Sequence, residues 1–468
     1  MKRIERFEIN GLFGTRDIEI QFVDGSIILV GPNGIGKSTV INIFYFFVSR
    51  QWSRLLEYSF NSISVVFSDS RITADRNDIS GINEIQRLVL ESPPGSRLRH
   101  TFDILSEHQL VEEFFSSTRI SPLRRAFFAN LLKIPASEVQ LYQRSLVRRM
   151  QTDQATLFEA PRVDLERAIS DAFPGRTLYL PTYRRIEKDL KEVFPQLETQ
   201  YKDFTGRQLF ADARRSGAHY VDLINFGMED VKSSIDRSLA DLRDYSLNRY
   251  NSLSALYLRD VIRGKADAYE EDQINNLTEE DIQNILDRVT ETALSKMDKD
   301  HLKKKLQGIQ GKKRADVDKD EKYLAHYFSR LVDITADIRD REKPIANFIE
   351  ICNAYFKPEK RFFYDDIQFT VKVLDKLGHE IELRHLSSGE KQIVSVFAHL
   401  YLDQQRQQII VIDEPELSLS VPWQKRFLAD ILNSGRCNAV VAVTHSPFIY
   451  QNDLRETAVD LRRSVKAA

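Results

Sequence analysis

The period of the hydrophobic pattern changes twice along the chain. Residues 3–10 and 17–23 alternate apolar and polar side chains as a hairpin does, with Gly11 and Gly14 in the connection. Ile27–Val30 is a short continuous apolar run, which predicts a buried strand, and Ile63–Phe67 predicts another. Residues 106–172 are mostly helical in character, with interruptions near Pro122 and Pro135. Arg176–Leu180 returns to strand chemistry and stops at Pro181. From about Ile186 to Asn347 glycine and proline thin out and charge abounds. Apolar residues there recur at three and four, as at Ile235, Leu239, Leu242 and Tyr245, and again at Leu253 and Leu256. This predicts a helical insertion, a hairpin or short coiled coil. After Tyr355 strands return at Phe362–Tyr364, Ile367–Leu374, Glu380–Leu383, Gln408–Ile412 and Ala439–Val443. Helices are predicted from near Ser388 and after Pro422. The predicted class is α/β, divided into an N-terminal segment 1–185, a helical insertion 186–347 and a C-terminal segment 348–468.

Composition narrows the partners. The chain has 468 residues, room for two or three domains and a sizeable core. Lys plus Arg number 67 against 69 Asp plus Glu, so a net charge of -2 excludes global attraction to nucleic acid. Any such binding must use a local patch. Residues 296–322 are dense in both signs, which fits a solvated helix end or loop, or a phosphate-backbone patch. Cys352 and Cys437 lie far apart and match no metal or redox spacing, which suits buried thiols in a reducing cytoplasm. The start lacks a signal-peptide core, and no apolar run approaches the roughly 20 residues that span a bilayer. The expectation is a cytoplasmic protein with no membrane partner.

The chemistry concentrates in four segments. Gly31-Pro32-Asn33-Gly34-Ile35-Gly36-Lys37-Ser38-Thr39 follows the Ile27–Val30 run and fits G-x-x-x-x-G-K-[ST] between a strand and a helix. Its glycines let backbone N–H groups curl round a polyphosphate. The Lys37 ammonium reaches the outer oxygens, and the Ser38 hydroxyl is placed to ligate Mg²⁺. The helix from Thr39 aims its positive end at the same anion. Gln408–Ile412 is an apolar strand that ends in Asp413-Glu414-Pro415. Asp413 would hold Mg²⁺ or its water and Glu414 would accept a proton from attacking water; a surface pair capping the next element is the alternative. Ala439–Val443 ends in Thr444-His445-Ser446-Pro447. Alone, that histidine is more often structural; beside the other segments it reads as a contact to a γ-phosphate. His385-Leu386-Ser387-Ser388-Gly389-Glu390-Lys391-Gln392 opens a helix. Serine and glycine there leave N–H groups for an anion, and an ordinary capping box of Ser387 with Glu390 is compatible with the same residues.

In this order the segments resemble the Walker A, signature, Walker B and switch-histidine motifs of ABC-type ATPases. The interval of nearly four hundred residues between the first and third is too long for a transporter subunit. It resembles the split heads of the SMC, Rad50 and RecF class, in which a helical insertion separates two lobes. Within that class the segments are most similar to ATPases of bacterial anti-phage systems: OLD-family relatives, the PtuA type of Septu and the AriA type of PARIS. The resemblance implies a two-lobed ABC ATPase head, a P-loop NTPase that binds and hydrolyses ATP with Mg²⁺. It implies nucleotide contacts from Asn33, Gly34, Gly36, Lys37, Ser38 and Thr39, metal contacts from Ser38 and Asp413, and catalysis by Lys37, Glu414 and His445. It also implies a homodimer or higher homo-oligomer in which Ser387 and Gly389 of one copy face the γ-phosphate held by the other.

A separately encoded effector follows from the same resemblance, a nuclease of TOPRIM or HNH type, under control of a nucleic-acid or phage-protein trigger. Only 23 residues follow His445, too few for the TOPRIM domain of OLD nucleases. Leu178 to Arg185 falls where a glutamine-bearing loop would sit, and it has no glutamine; Arg184 or Arg185 would contact phosphate or a partner, or the segment is a plain turn. The rival expectations are a DNA repair or chromosome-maintenance ATPase of the Rad50 or RecF type, and a scaffold that nucleotide only glues together.

Overall fold

A computed structural model describes residues 3–80, 100–101, 104, 114, 122–150, 165–180, 220–222, 228–265, 271–288, 294–403 and 408–467. The chain divides into two compact units, one of residues 1–225 with 405–468 and one of residues 226–404. In chain order the first stretch supplies β1 (Ile4–Leu12), β2 (Arg16–Gln21), β3 (Ile27–Val30), α1 (Lys37–Val48), α2 (Trp52–Leu55), β4 (Ser62–Phe67) and β5 (Arg71–Asp75). It continues with α3 (Pro122–Leu132), α4 (Val139–Met150), α5 (Leu165–Ala172), β6 (Arg176–Leu180) and β7 (Tyr220–Asp222). The second unit holds α6 (Met228–Ile262), α7 (Glu271–Asn275), α8 (Glu279–Asp287), α9 (Lys296–Ile309) and α10 (Lys319–Phe356). It closes with β8 (Lys360–Asp365), β9 (Thr370–Asp375), β10 (Glu380–Ile381) and α11 (Ser388–Leu402). The chain then returns to the first unit through β11 (Gln408–Asp413), α12 (Val421–Asn433), β12 (Cys437–Val443), β13 (Ala458–Asp460) and β14 (Val465–Ala467).

The first unit is built on two sheets. An all-parallel sheet has the order β13-β3-β12-β11-β6-β7, and an antiparallel sheet has the order β14-β2-β1-β4-β5. The composition of each strand follows its surroundings. In β11 every residue from Gln408 to Asp413 is buried, as a parallel strand covered on both faces requires. In β1 and β2 burial alternates, with Phe7, Ile9, Ile18 and Ile20 turned inward. Helix α1 belongs to the core that these sheets share. Val40, Ile41, Ile43, Phe44, Tyr45, Phe47 and Val48 are buried around much of its circumference, which marks an interior helix. Phe44 meets Phe7 edge-on at 5.1 Å, and Tyr45 stacks on Tyr179 of β6 at 4.4 Å. Each such ring contributes about 1.5–3 kcal/mol by leaving water. The phosphate-loop helix is therefore held rigidly from behind.

The second unit is mostly helical. α6 and α10 run antiparallel: Tyr245 meets Arg341, Arg249 pairs with Asp337, and Asp260 faces His326 and Arg330. As one residue number rises its partner's falls, which is the helical hairpin that the three-four spacing predicts. α10 runs past Asn347 to Phe356 before strand chemistry begins. Its hydrophobic core joins Leu253, Ile282, Ile285, Leu306, Phe328, Leu331 and Ile338. The charge-dense stretch 296–322 forms α9 and the start of α10, with Leu306 and Ile309 buried. Lys303 pairs there with Glu279 and Lys312 with Glu321.

The local differences from expectation have local causes. Ile367 and Gln368 form a turn whose amides donate to the Asp365 carboxylate at 3.0 and 2.8 Å, so β9 starts only at Thr370. Leu383 opens a 3₁₀ turn instead of extending β10. The predicted helical residues 106–113, 115–121 and 151–164, Pro181 and the segment through Arg184 and Arg185, and residues 186–219, 223–227, 266–270 and 289–293 of the predicted insertion lie outside the described residues.

Candidate functional site

Three strand ends converge in the first unit. β12 lies between β3 and β11, all parallel, and Asp413 pairs with Val443 while Val443 pairs with Leu29. The loops that leave these strands, Gly31–Gly36, Glu414–Ser418 and Thr444–Ser446, therefore emerge at one edge. That is the carboxyl edge, where open parallel sheets place their ligands. Main-chain bonds lock the level. The Glu414 N–H donates to Val443 O at 2.9 Å, and the Thr444 N–H donates to Leu29 O at 3.1 Å.

The phosphate loop has the backbone its glycines predict. Gly34 has φ +79° and Gly36 φ +101°, values that strain any side chain with a Cβ. Gly36 is the N-cap of α1, with no side-chain hydrogen bond to the helix start and no acidic residue in the first turn. The first amides of a helix lack intrahelical acceptors, so this end presents donors and positive dipole to an anion. Asn33, Gly34 and Ser38 are exposed and Thr39 is half-buried, whereas Lys37 is buried.

The Lys37 Nζ donates to Gly31 O and Pro32 O, each at 2.9 Å, which folds the side chain across its own loop. Burial lowers its pKa from the ordinary 10.5, and the charges of Asp413, Glu414 and Asp460 oppose that shift. Lysine and the two carboxylates predicted from separate segments thus share one electrostatic neighbourhood. Asp413 is 5% exposed at the end of β11. Glu414 is half-buried with φ +53°, a conformation that costs a non-glycine residue about 1–2 kcal/mol. Strain of this sort persists where neighbours over-determine the backbone, here through the bond to Val443. His445 stands at the end of β12 with its side chain exposed.

Two acidic residues join the site without having been singled out. The Glu416 carboxylate accepts from the Thr444 hydroxyl at 2.7 Å and from the His445 N–H at 2.9 Å. Asp460 ends β13, whose Asp460 pairs with Val30 of β3. A Cβ placed on Gly31 would lie 3.3 Å from Asp460 Oδ1, so this carboxylate abuts the first glycine of the loop. Side-chain and backbone bonds from Arg462 hold the Asp460 carboxyl down to about 2. Glu416 sits in a segment with an evident motif, but nothing in its spacing says where the side chain folds. Asp460 has no sequence signal at all.

Ser387 and Gly389 lie at the start of α11 in the second unit. Ser387 is the N-cap, its hydroxyl accepts from the Glu390 N–H, and the Glu390 carboxylate accepts from the Ser387 N–H at 2.7 Å. Both oxygens of Glu390 also accept from Lys360 Nζ, at 2.9 and 2.8 Å. The capping box is present, and a side-chain bond from Ser387 as well as its backbone bond favours the ionised Glu390 carboxylate.

The residues at the converging edge fit a nucleoside triphosphate with a divalent cation. Left-handed glycines, a helix start without its own anion and a lysine among carboxylates are the required donors and counter-charges. Among the described residues no cluster of three or more His, Cys, Asp or Glu stands ready to hold a metal. Mg²⁺ characteristically takes one or two protein oxygens and completes its shell with phosphate and water. No helix among the described residues is long and apolar enough to cross a membrane. Cys352 is a buried free thiol, and burial raises its pKa well above the ordinary value.

Comparison with solved structures returns Smc heads at low similarity. The Smc head domain with an extended coiled coil bound to the C-terminal domain of ScpA, derived from Pyrococcus furiosus, is 12% identical, with a TM-score of 0.32, 100% of this chain covered and 96% of that one. An Smc head bound to the C-winged helix domain of ScpA gives 10%, 0.35, 100% and 97%. An Smc head with a coiled coil and joint from Pyrococcus yayanosii gives 14%, 0.30, 100% and 97%. The chain is an α/β protein with one parallel and two antiparallel sheets among the described residues. Residues 229–450, which include Ser387, Gly389, Asp413, Glu414 and His445, are similar to the family described as "AAA domain, putative AbiEii toxin, Type IV TA system".

Proposed function

We propose that the chain is an ABC-type ATPase that binds and hydrolyses ATP and uses its nucleotide state to control a separately encoded effector in defence against phage. The observation that carries the ATPase reading is the meeting of Lys37 with Asp413 and Glu414 at the carboxyl edge of one parallel sheet. In this reading Asn33, Gly34, Gly36, Lys37, Ser38 and Thr39 hold the triphosphate. Ser38 and Asp413 hold Mg²⁺, which when bound supplies charge neutralisation and orientation of the phosphates. Glu414 orients the attacking water and accepts its proton, and its constrained backbone keeps the carboxylate at the loop mouth. His445 meets the γ-phosphate.

Ser387 and Gly389 of one copy complete the site of a second copy, and the helical unit serves assembly or partner binding. The similarity of residues 229–450 to a family described by a toxin supports the defence arm. A nuclease of TOPRIM or HNH type is the effector that this reading assigns, and its ATP-dependent co-purification from the native host checks that arm. The chemical core is tested by Glu414→Gln in the full chain. ATP should remain bound while turnover falls by about 10²–10³-fold, as when a group that acts mainly in the transition state is removed. Undiminished turnover would strip Glu414 of its role.

A further inference from the structure

The Glu416 side chain spans two of the loops at the sheet edge. It leaves the turn after β11, where Leu417 N–H donates to Glu414 O at 3.1 Å and Leu419 N–H to Glu416 O at 3.0 Å. Its oxygens divide their work. Oε2 accepts from Thr444 Oγ1 at 2.7 Å and Oε1 from the His445 main-chain N–H at 2.9 Å. Thr444 is fully buried, with its own N–H on Leu29 O of β3. Beyond His445, the Ser446 N–H donates to Thr444 Oγ1 at 3.0 Å and the Ser446 hydroxyl to Gln424 Oε1 at 2.6 Å. The main chain on both sides of His445 is therefore fastened, while the imidazole remains exposed. A hydrogen bond to a carboxylate is about twice as strong as one between neutral groups, so Glu416 is a principal fastening.

We infer, on the basis of the ATPase reading above, that Glu416 is a positioning residue that fixes the His445 backbone to the turn carrying Glu414. The imidazole and the water-activating carboxylate then keep one frame, and a displacement of either loop is passed to the other. The chemistry requires this side chain. Aspartate is one methylene too short to span both donors. Glutamine keeps one acceptor and presents an amide that the Thr444 hydroxyl can accept, so it retains the geometry with a weaker grip. Alanine removes the link and leaves the buried Thr444 hydroxyl only the longer contact to Ser446 O at 3.4 Å.

The test is a double-mutant cycle in the full chain, with kcat for MgATP, equilibrium ATP binding and thermal melting read on each variant. Glu416→Ala should lower kcat at least tenfold, with ATP affinity within about twofold and a lost activity like that of His445→Ala. The double variant should be no slower than His445→Ala alone. Glu416→Gln should lie between Glu416→Ala and the unchanged protein, and Thr444→Ser, which keeps the donor, should exceed Thr444→Val. If Glu416→Ala fails to fold, the cycle is run with Glu416→Gln and Thr444→Val. Losses that multiply in the double variant, an unaltered kcat on loss of the link, or an unaltered kcat in His445→Ala would each overturn the inference while leaving the ATPase reading standing. Absence of turnover in the unchanged protein would remove that reading and this inference together.

Discussion

Two helix starts in this chain read alike as phosphate-facing in the sequence and are built in opposite ways. α1 begins after a left-handed glycine, with no side-chain cap and no acid in its first turn. α11 begins with Ser387 in a reciprocal capping box, and the Glu390 of that box is itself bound to Lys360. α8 and α9 of the same helical unit use the α11 device, with Thr278 and Asp281 in one and Ser295 and Asp298 in the other. A helix that supplies its own carboxylate satisfies its first amides without a ligand. One that supplies none leaves dipole and donors for an incoming anion. The difference separates the two starts: α1 leaves its first amides open to an anion, whereas α11 satisfies its own. At α11 the acid of the cap is bound by both Ser387 and Lys360.

The largest expected effect falls on α1. Lys37→Ala should weaken ATP binding by about 100-fold or more, because a buried ammonium has no substitute at a polyphosphate; titration with a fluorescent ATP analogue measures it. Lys360→Met, the matching loss at α11, should leave binding by α1 within about twofold. Equal losses in the two variants would erase the contrast. Glu390→Gln should then cost about 1 kcal/mol of stability, read from the denaturant midpoint, since it removes one half of the cap and the partner of Lys360.

The two starts should also part company with pH. Burial pushes the Glu390 carboxyl up, but its bonds to Lys360 and Ser387 bring it below the ordinary 4.5 overall. A depressed carboxylate stabilises the fold above its unfolded pKa, and that contribution disappears as pH falls below 4.5 through the folded value. Glu390→Gln should therefore flatten the acid limb of a melting-temperature profile. At α1 the sign is reversed. Burial makes Lys37 lose its proton below the ordinary 10.5, so ATP affinity should decline as pH rises toward that value, with proton uptake on binding seen by calorimetry in buffers of different ionisation enthalpy. The smallest effect belongs to Asp460→Asn. Removing a like charge beside Gly31 should tighten ATP binding by about twofold at low salt and by less at high salt, as screening requires.

Much of this site could be read directly from the chain because its rules are local. Ile27–Val30 is apolar without a break, Gly34 and Gly36 stand where the backbone turns left-handed, and Lys37 follows at once. Each of those requirements lies within a dozen residues. The capping box at Ser387 is legible for the same reason. β13 and β14 are three residues long, too short for alternation, and they become strands because β3 and β2 offer them free edges. The change of composition near Ile186 marks where glycine and proline thin out, whereas the helical unit begins at Phe226 because compactness depends on which residues pack together.

By itself, then, the amino-acid order determined the longer elements, the glycine-rich loop and the residue types able to handle a metal and water. Hydrophobic period and glycine backbone freedom act over a few residues and leave their mark in composition. Only the tertiary structure decided that residues 37, 414 and 445 share one edge, that Asp460 closes on Gly31 and that Glu416 fastens the histidine loop. Those contacts join positions separated by up to several hundred residues, and the parallel order of β3, β12 and β11 that creates them comes from packing, which no local pattern records.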